Sequence, residues 1–224
     1  MTSIGFDLEG TLVRSVDMKE EAILEFRQRT REKLLELGIP AKVLAGVESS
    51  VLMRNRASLY ANANLSNSQR QKLESGLNEF LLRFELRWAD DSMLFPDAEP
   101  TIRILKERGV RMVIVTNTSR PAAELMLTKH TLSNYFDVVV TRNDVSRLKP
   151  DPEGLLIAFG RLGERAEYFV GDTGIDSEAA RNAGIKSIIV RRNWPQSLVP
   201  PDPHADHKVE SLTEIVSMIN GGSE

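Results

Sequence analysis

The chain has 224 residues, of which 41% are hydrophobic and 27% are charged, and its formal net charge is −3. A chain of this length and composition can bury a substantial core, and it has no overall positive charge that would attract nucleic acid, so no nucleic-acid partner is expected. It contains no cysteine, which excludes disulfides, a thiolate nucleophile and a cysteine-ligated metal site.

The apolar segments predict where the protein resides. The longest strongly apolar runs, such as Met112 to Val115, have the length of a strand and are too short to span a bilayer. The first residues lack a basic stretch followed by a long apolar segment, so no secretory signal is visible. We therefore expect a cytoplasmic protein that does not associate with membranes.

The first part of the chain predicts one strand followed by helices. Ile4 to Asp7 is short and apolar and runs into Gly10, which is typical of a buried strand that ends in a turn. Apolar residues at helical spacing then predict helices over 17–37, 43–60 and 68–88. No strand-like alternation interrupts this region, so residues 15–92 are predicted to form an all-helical cap domain.

Strands and helices alternate through the rest of the chain. The predicted strands cover residues 110–116, 137–141, 168–171 and 187–190. The predicted helices cover residues 101–108, 121–129, 152–162, 176–182 and 211–219, and a proline-rich loop covers 195–203. This alternation predicts the α/β fold class, with a doubly wound, Rossmann-like parallel sheet. Residues 1–14 and 93–224 would form this core, into which the cap is inserted.

Polar residues follow the predicted strands at their carboxyl ends, where open parallel sheets bind ligands. They are Asp7 and Glu9 after the first strand, Thr116 and Asn117 after the second, Lys149 after the third, and Asp172 with Asp176 after the fourth. These segments are scattered in the sequence, but the topology would bring them together.

The types of these residues indicate phosphoryl transfer. A carboxylate such as Asp7 can attack a phosphoryl group and form a covalent intermediate. Both groups are anionic, so the attack requires a cation, and Mg²⁺ is suitable because it binds carboxylates, water and phosphate oxygens. The Thr116 hydroxyl and the Lys149 ammonium could stabilise the phosphoryl oxygens. We therefore expect a small phosphorylated metabolite as the partner and Mg²⁺ as the cofactor.

The same segments resemble the four motifs of the haloacid dehalogenase-like hydrolases, in order and with fitting separations. FDLEGTL resembles the nucleophile loop and VIVTN the hydroxyl motif, while LKPDP resembles the lysine motif and VGDTGIDSEAARNAG the acidic motif. The helical insertion after the first motif resembles the cap of the phosphoglycolate phosphatase-like branch. The resemblance implies a phosphatase of that branch.

The resemblance also implies a role for each residue. Asp7 would be the nucleophile, and Glu9 would be the general acid and base and would contact the metal through its backbone carbonyl. The phosphate-binding residues would be Thr116, Asn117 and Lys149, and the metal site would comprise Asp7, Glu9, Asp172 and Asp176, with Asp172 the more direct of the last two.

Glu9 departs from the family pattern, because most phosphatases of the family have Asp at this position. The Glu side chain is one methylene longer and can still reach a leaving oxygen, and enolase-phosphatases of the same superfamily also have Glu here. Two alternatives stay open: a phosphate-transferring mutase on the same core, and a non-catalytic protein that binds a phosphorylated ligand. An acid at this position is evidence against a dehalogenase.

Three arginines are candidates for determining substrate specificity. Arg54 and Arg56 lie in the predicted cap and could bind a substrate carboxylate or sugar, and Arg14 follows the first motif. A solvated helix face is the alternative for the cap pair. The cap is expected to move about hinges near residues 13–17 and 89–96, and the sequence leaves open whether the protein is a monomer or a homodimer.

Overall fold

Short apolar strands form the centre of the molecule. The computed structural model of the protein describes residues 2–17, 19–192 and 204–219. The strands are β1 (Ser3–Phe6), β2 (Val13–Ser15), β3 (Ser92–Leu94), β4 (Arg111–Val115), β5 (Val138–Val140), β6 (Tyr168–Gly171), β7 (Lys186–Val190) and β8 (His207–Val209). The α-helices are α1 (Glu20–Glu36), α2 (Ala41–Leu44), α3 (Ser50–Asn64), α4 (Asn67–Asp90), α5 (Ala98–Glu107), α6 (Arg120–Lys129), α7 (Glu153–Leu162), α8 (Gly174–Ala183) and α9 (Ile215–Met218).

Six of the described strands form one parallel sheet in the order β5-β4-β1-β6-β7-β8. Successive side chains of a strand point to opposite faces, and both faces of this sheet are apolar. Ile4, Phe6 and Met112 pack on one face with α5, α6 and α9, whereas Val113 and Phe169 pack on the other with α7 and α8. Helices therefore cover both faces, which confirms the predicted doubly wound, Rossmann-like core.

Helices α1 to α4 form the cap and have a hydrophobic cluster of their own, which includes Leu34, Leu44, Met53 and Leu77. The sequence predicted a single helix over 43–60, and this prediction was wrong. Gly46 interrupts the helix, because its φ of 69° is positive and a right-handed helix requires a negative φ. Glycine adopts this conformation without the strain that a side chain would cause. A new helix, α3, starts after Ser49, whose side chain accepts a hydrogen bond from the Leu52 amide.

The two chain segments that enter and leave the cap pair with each other. Strands β2 and β3 form an antiparallel ribbon in which Val13 lies opposite Leu94 and Ser15 opposite Ser92. The sequence predicted no strand here, because three residues are too few to show an alternating pattern. The predicted domain boundaries, 14/15 and 92/93, fall within this ribbon, and the division into two domains stays a prediction.

The carboxyl-terminal part also differs from the prediction. Strand β8 was not predicted, since of its three residues only Val209 is buried. The predicted helix over 211–219 is a 3₁₀ turn at Leu212–Glu214 that continues into the short helix α9. The predicted proline-rich loop over 195–203 lies outside the described residues. None of the described helices is long and apolar enough to cross a membrane.

Asp97, at the start of α5, connects this carboxyl-terminal part to the core. Its carboxylate accepts hydrogen bonds from the Leu212 amide at 2.9 Å, the Ser211 hydroxyl at 3.0 Å and two guanidinium nitrogens of Arg192 at 3.1 Å each. Burial by itself would raise the pKa of Asp97, but donation from Arg192 and Leu212 outweighs it and lowers the pKa.

Replacing Asp97 with Ala should lower the free energy of unfolding at pH 7 by about 2–4 kcal/mol, since several charge-assisted hydrogen bonds are lost. Because the folded-state pKa is depressed, this stabilisation is present above the ordinary carboxyl pKa and disappears as the pH falls through the folded-state value. Urea unfolding at several pH values measures it.

Glu99→Ala is the matched control, because Glu99 lies on the same helix and forms an exposed ion pair with Arg103 at 3.4 Å. Such a pair contributes about 1 kcal/mol or less. Equal losses for Asp97→Ala and Glu99→Ala would contradict the anchoring role of Asp97.

Candidate active site

Three neighbouring strands end at one crevice of the sheet. Strand β1 lies between β4 and β6, and the residues that directly follow these strands are Asp7, Thr116 and Asp172. The chain crosses to opposite sides of β1 here, which is where doubly wound sheets bind ligands. A cavity of about 740 Å³ opens at this point and is lined by residues of both the core and the cap.

Three buried carboxylates share the floor of the cavity. Asp7, Asp172 and Asp176 each place one oxygen within 4.8 Å of the other two. The Lys149 Nζ lies 2.7 Å from Asp7 Oδ1 and 2.7 Å from Asp176 Oδ1. One ammonium thus contacts two of the three carboxylates directly.

The pKa values reflect these contacts. Burial, with a contribution from Asp176, raises the pKa of Asp7 to about 6 even though Lys149 opposes the shift. For Lys149, burial by itself would lower the pKa, but Asp176 and Asp7 outweigh it and raise the pKa. A buried cluster of three carboxylate oxygens within 4.8 Å of one another fits a divalent cation such as Mg²⁺.

Asp176 has the contacts of a residue that orients its neighbours. Its Oδ1 accepts from Lys149, and its Oδ2 accepts from the Thr173 hydroxyl at 2.9 Å, the Thr173 amide at 3.1 Å and the Asp172 amide at 3.3 Å. It also completes the capping box at the start of α8. Protein donors thus contact both oxygens of Asp176, which suits this residue to orienting Lys149 and the start of α8.

Two glycines make room for these acids. A Cβ at Gly10, whose φ is +92°, would overlap the Asp172 carboxylate, and a Cβ at Gly171 would overlap the Asp176 side chain. The Thr11 hydroxyl donates to Asp172 Oδ1 at 3.4 Å. The turn after β1 can therefore approach Asp172 closely only because residue 10 has no side chain.

Thr116 and Lys149 both line the cavity in which phosphate is expected to bind. The buried Thr116 hydroxyl accepts from the Thr118 amide at 3.2 Å, which leaves its proton available to donate. Asn117 was predicted to bind phosphate, but its side chain pairs with the Lys149 backbone. Its Oδ1 accepts from the Lys149 amide at 3.0 Å, and its Nδ2 donates to the Lys149 carbonyl at 3.2 Å. Only the Asn117 backbone thus remains suitable for phosphate.

Glu9 places its carboxyl group on the cavity wall. Its Oε2 accepts from the Thr118 hydroxyl at 3.4 Å, and its buried Oε1 has no hydrogen-bond partner among the described residues. Burial, followed by the charges of Glu85 and Asp7, raises the pKa of Glu9 to about 8. Near neutral pH this carboxyl group therefore holds a proton that it could donate.

The sequence analysis missed a buried ion pair between the cap and the core. Glu85 of α4 accepts from Arg142 Nη2 at 2.9 Å and from the Ser119 amide at 3.2 Å. Glu85 extends the apolar stripe of α4, four residues beyond Leu81, so a charged residue in that stripe was the available signal. Arg142 lies two residues after the end of β5, and nothing in its sequence context identifies it as the partner of Glu85.

The structure separates the three candidate arginines. Arg54 lines the cavity, but Arg14 lies on the exposed face of β2, and Arg56 is exposed and donates to the Ala45 carbonyl at 3.0 Å. Residues two apart on a helix point about 200° apart, so Arg54 and Arg56 cannot face the same cavity. Arg14 and Arg56 therefore lie outside the lining of the cavity, where they cannot contact a bound substrate.

Known proteins with the same sequence pattern identify the family. The sequence pattern of the haloacid dehalogenase-like hydrolase family matches residues 1–184 of this chain. The chain belongs to the haloacid dehalogenase-like hydrolases. The phosphoglycolate phosphatase of Photorhabdus laumondii is 31% identical over 97% of this chain and 92% of that protein. The plasmid-encoded phosphoglycolate phosphatase of Cupriavidus necator is 28% identical over 97% of this chain and 93% of that protein.

Solved structures of the family agree. The crystal structure of a HAD phosphatase from Thermococcus onnurineus is 26% identical and superimposes with a TM-score of 0.62, covering 99% of each chain. These similarities confirm the predicted family, its phosphoglycolate phosphatase-like branch and a phosphatase as the class of enzyme.

Gly10→Ala should reduce phosphatase activity about 10- to 100-fold, because the new methyl group would displace the Asp172 carboxylate. Gly38→Ala is the matched control: Gly38 has a φ of +91°, but a Cβ there would meet nothing within 4 Å. Both variants should lose about 1 kcal/mol of stability from backbone strain, and only Gly10→Ala should lose activity. Thermal unfolding and steady-state kinetics measure the two effects. Full activity in Gly10→Ala would show that Asp172 need not stay in place.

Proposed function

We propose that this protein hydrolyses a small phosphate monoester in a Mg²⁺-dependent reaction that proceeds through an aspartyl-phosphate on Asp7. The main support is the buried cluster at the end of β1. There Asp7 lies 2.7 Å from the Lys149 ammonium and shares a potential cation site with Asp172. The relatives named as phosphoglycolate phosphatases agree with a small phosphorylated metabolite as substrate.

In this proposal, Asp7, Asp172 and the Glu9 carbonyl would hold a Mg²⁺ ion, and Asp176 orients Lys149 and the Asp172 backbone. When bound, Mg²⁺ supplies the positive charge that lets a carboxylate approach a phosphate dianion. Lys149 and the Thr116 hydroxyl bind phosphoryl oxygens and stabilise the charge that they carry in the transition state.

The reaction has two steps. First, an Asp7 carboxylate oxygen attacks phosphorus, the bond from phosphorus to the leaving oxygen breaks, and Glu9 donates its proton to that oxygen. Glu9 suits this role because its raised pKa, about 8, keeps it protonated near neutral pH. Second, Glu9 accepts a proton from a water molecule whose oxygen attacks phosphorus. The bond to Asp7 then breaks, and inorganic phosphate is released.

Arg54 supports a substrate with a second anionic group. It is half-buried on the cavity wall and forms no hydrogen bond or ion pair with the part of the chain that the structure describes. Burial, together with the neighbouring Arg142, lowers the pKa of Arg54 to about 10. The charges of Glu85 and Glu74 oppose this shift in part. The buried Arg54 Nη1 has no hydrogen-bond partner among the described residues, so it can donate to an anionic group of a ligand. A carboxylate on the leaving group would be such a group, so we favour a phosphoglycolate-like substrate over a neutral sugar phosphate.

Asp7→Asn should abolish turnover, with a loss of about 10³-fold or more, because the amide is a poor nucleophile and no cysteine can replace it. The near-isosteric change should leave the circular dichroism spectrum unchanged. Chelation should also abolish wild-type activity, and added Mg²⁺ should restore it. Turnover by pure Asp7→Asn would refute the mechanism. A requirement for a bisphosphate would instead indicate the mutase, and binding of phosphate without turnover would indicate the non-catalytic protein.

Arg54→Met should raise the KM for 2-phosphoglycolate about tenfold and change the KM for p-nitrophenyl phosphate, whose leaving group has no carboxylate, less than twofold. Arg56→Met on the same helix is the control and should change neither value. Steady-state kinetics with both substrates measure the difference. Equal effects of Arg54→Met on the two substrates would rule out a contact with the second anion.

A further inference from the structure

The segment that carries Lys149 contains no regular secondary structure, so its backbone needs other hydrogen-bond partners. Two asparagine side chains supply them. Asn117, after β4, pairs with both backbone groups of Lys149. Asn55, on helix α3 of the cap, pairs in the same way with the preceding residue, Leu148. Its Oδ1 accepts from the Leu148 amide at 2.9 Å, and its Nδ2 donates to the Leu148 carbonyl at 2.9 Å.

The two asparagines differ in what carries them. Asn117 belongs to the core and stays beside Lys149 wherever the cap lies. Asn55 is 93 residues away from Leu148 in the sequence and reaches it only when the cap is docked on the core. If the cap moves away, the Leu148 amide loses this bond, whereas the Leu148 carbonyl keeps a bond from the Asp151 amide at 3.0 Å.

The place of this contact matters because Lys149 has little freedom. Its ammonium must lie 2.7 Å from both Asp7 and Asp176, in a space where it is 4% exposed. A displacement of the backbone by about 1 Å would change these distances, and losses of about 100-fold in rate can follow from misplacements of that size.

We propose that Asn55 is a positioning residue that links cap docking to the placement of Lys149, so that the phosphate-binding site is complete only when the cap is docked. This rests on the proposed function for the role of Lys149. Linkage is reciprocal: phosphate that binds to the fully formed site must favour the docked cap by the same factor by which docking strengthens phosphate binding.

The test uses Asn55→Leu, which keeps the volume and removes both hydrogen bonds, and Asn55→Ala, which also removes the packing. Asn64→Ala is the control, because Asn64 is an exposed asparagine of the same helix that donates to the Tyr60 carbonyl within it. The measurements are kcat and KM for p-nitrophenyl phosphate, inhibition by inorganic phosphate, and amide hydrogen exchange over residues 146–151 in metal-free protein.

Both Asn55 variants should lower kcat and weaken phosphate inhibition about tenfold, since two neutral hydrogen bonds are lost. Exchange of the Leu148 amide should become faster, and Asn64→Ala should behave like the wild type. A purely structural role would change exchange or stability but not phosphate inhibition. If folded Asn55→Leu keeps kcat and phosphate inhibition within twofold of the wild-type values, the proposal is overturned, whatever Asn55→Ala does.

The experiment also separates this inference from the proposed function. A wild-type protein that hydrolyses nothing would contradict the proposed function. Titration of inorganic phosphate with wild type and Asn55→Leu would still test the link between Asn55 and the phosphate site: a common affinity would overturn it, and a weaker affinity for the variant would support it.

Discussion

The site depends on the two ion pairs that the buried Lys149 ammonium forms with Asp7 and Asp176. Three carboxylates cannot be buried within 4.8 Å of one another as free anions, because desolvation and mutual repulsion would protonate them. Lys149 contacts Asp7 and Asp176 directly and opposes the rise in the pKa of Asp7 that burial causes. The three carboxylate oxygens lie close enough to one another to share a cation.

Much of the surrounding structure serves to keep that ammonium and those acids in place. The side chain of Asn117 holds the Lys149 backbone, the side chain of Asn55 holds the preceding residue, and Thr173 orients Asp176. The absence of a side chain at Gly10 lets the nucleophile turn reach Asp172. These contacts hold three parts of the site in place: the turn after β1, the segment that carries Lys149, and the start of α8.

A second group of charges lies where the cap meets the core. The Glu85 carboxylate forms a buried ion pair with Arg142, and removing one partner of such a pair is costly because the other charge stays buried. Glu85 also contributes to the raised pKa of Glu9, which keeps a proton on that side chain. A residue of the cap therefore affects both the docking of the cap and the protonation of a core acid.

The sequence by itself determined the fold class, a parallel sheet with a helical cap, and it predicted the acids, the lysine and the threonine of the candidate site. Runs of four or five apolar residues that end in polar groups, and apolar residues at helical spacing, are local patterns that a reader of the sequence can recognise.

Only the tertiary structure determined the rest. Strands β2, β3 and β8 have three residues each and exist through their partners, and the directions of Arg54 and Arg56 depend on how α3 packs. The pairs Glu85–Arg142 and Asn55–Leu148 join residues 57 and 93 positions apart, and such distant contacts leave no pattern in the local sequence because they depend on how the two parts of the chain dock.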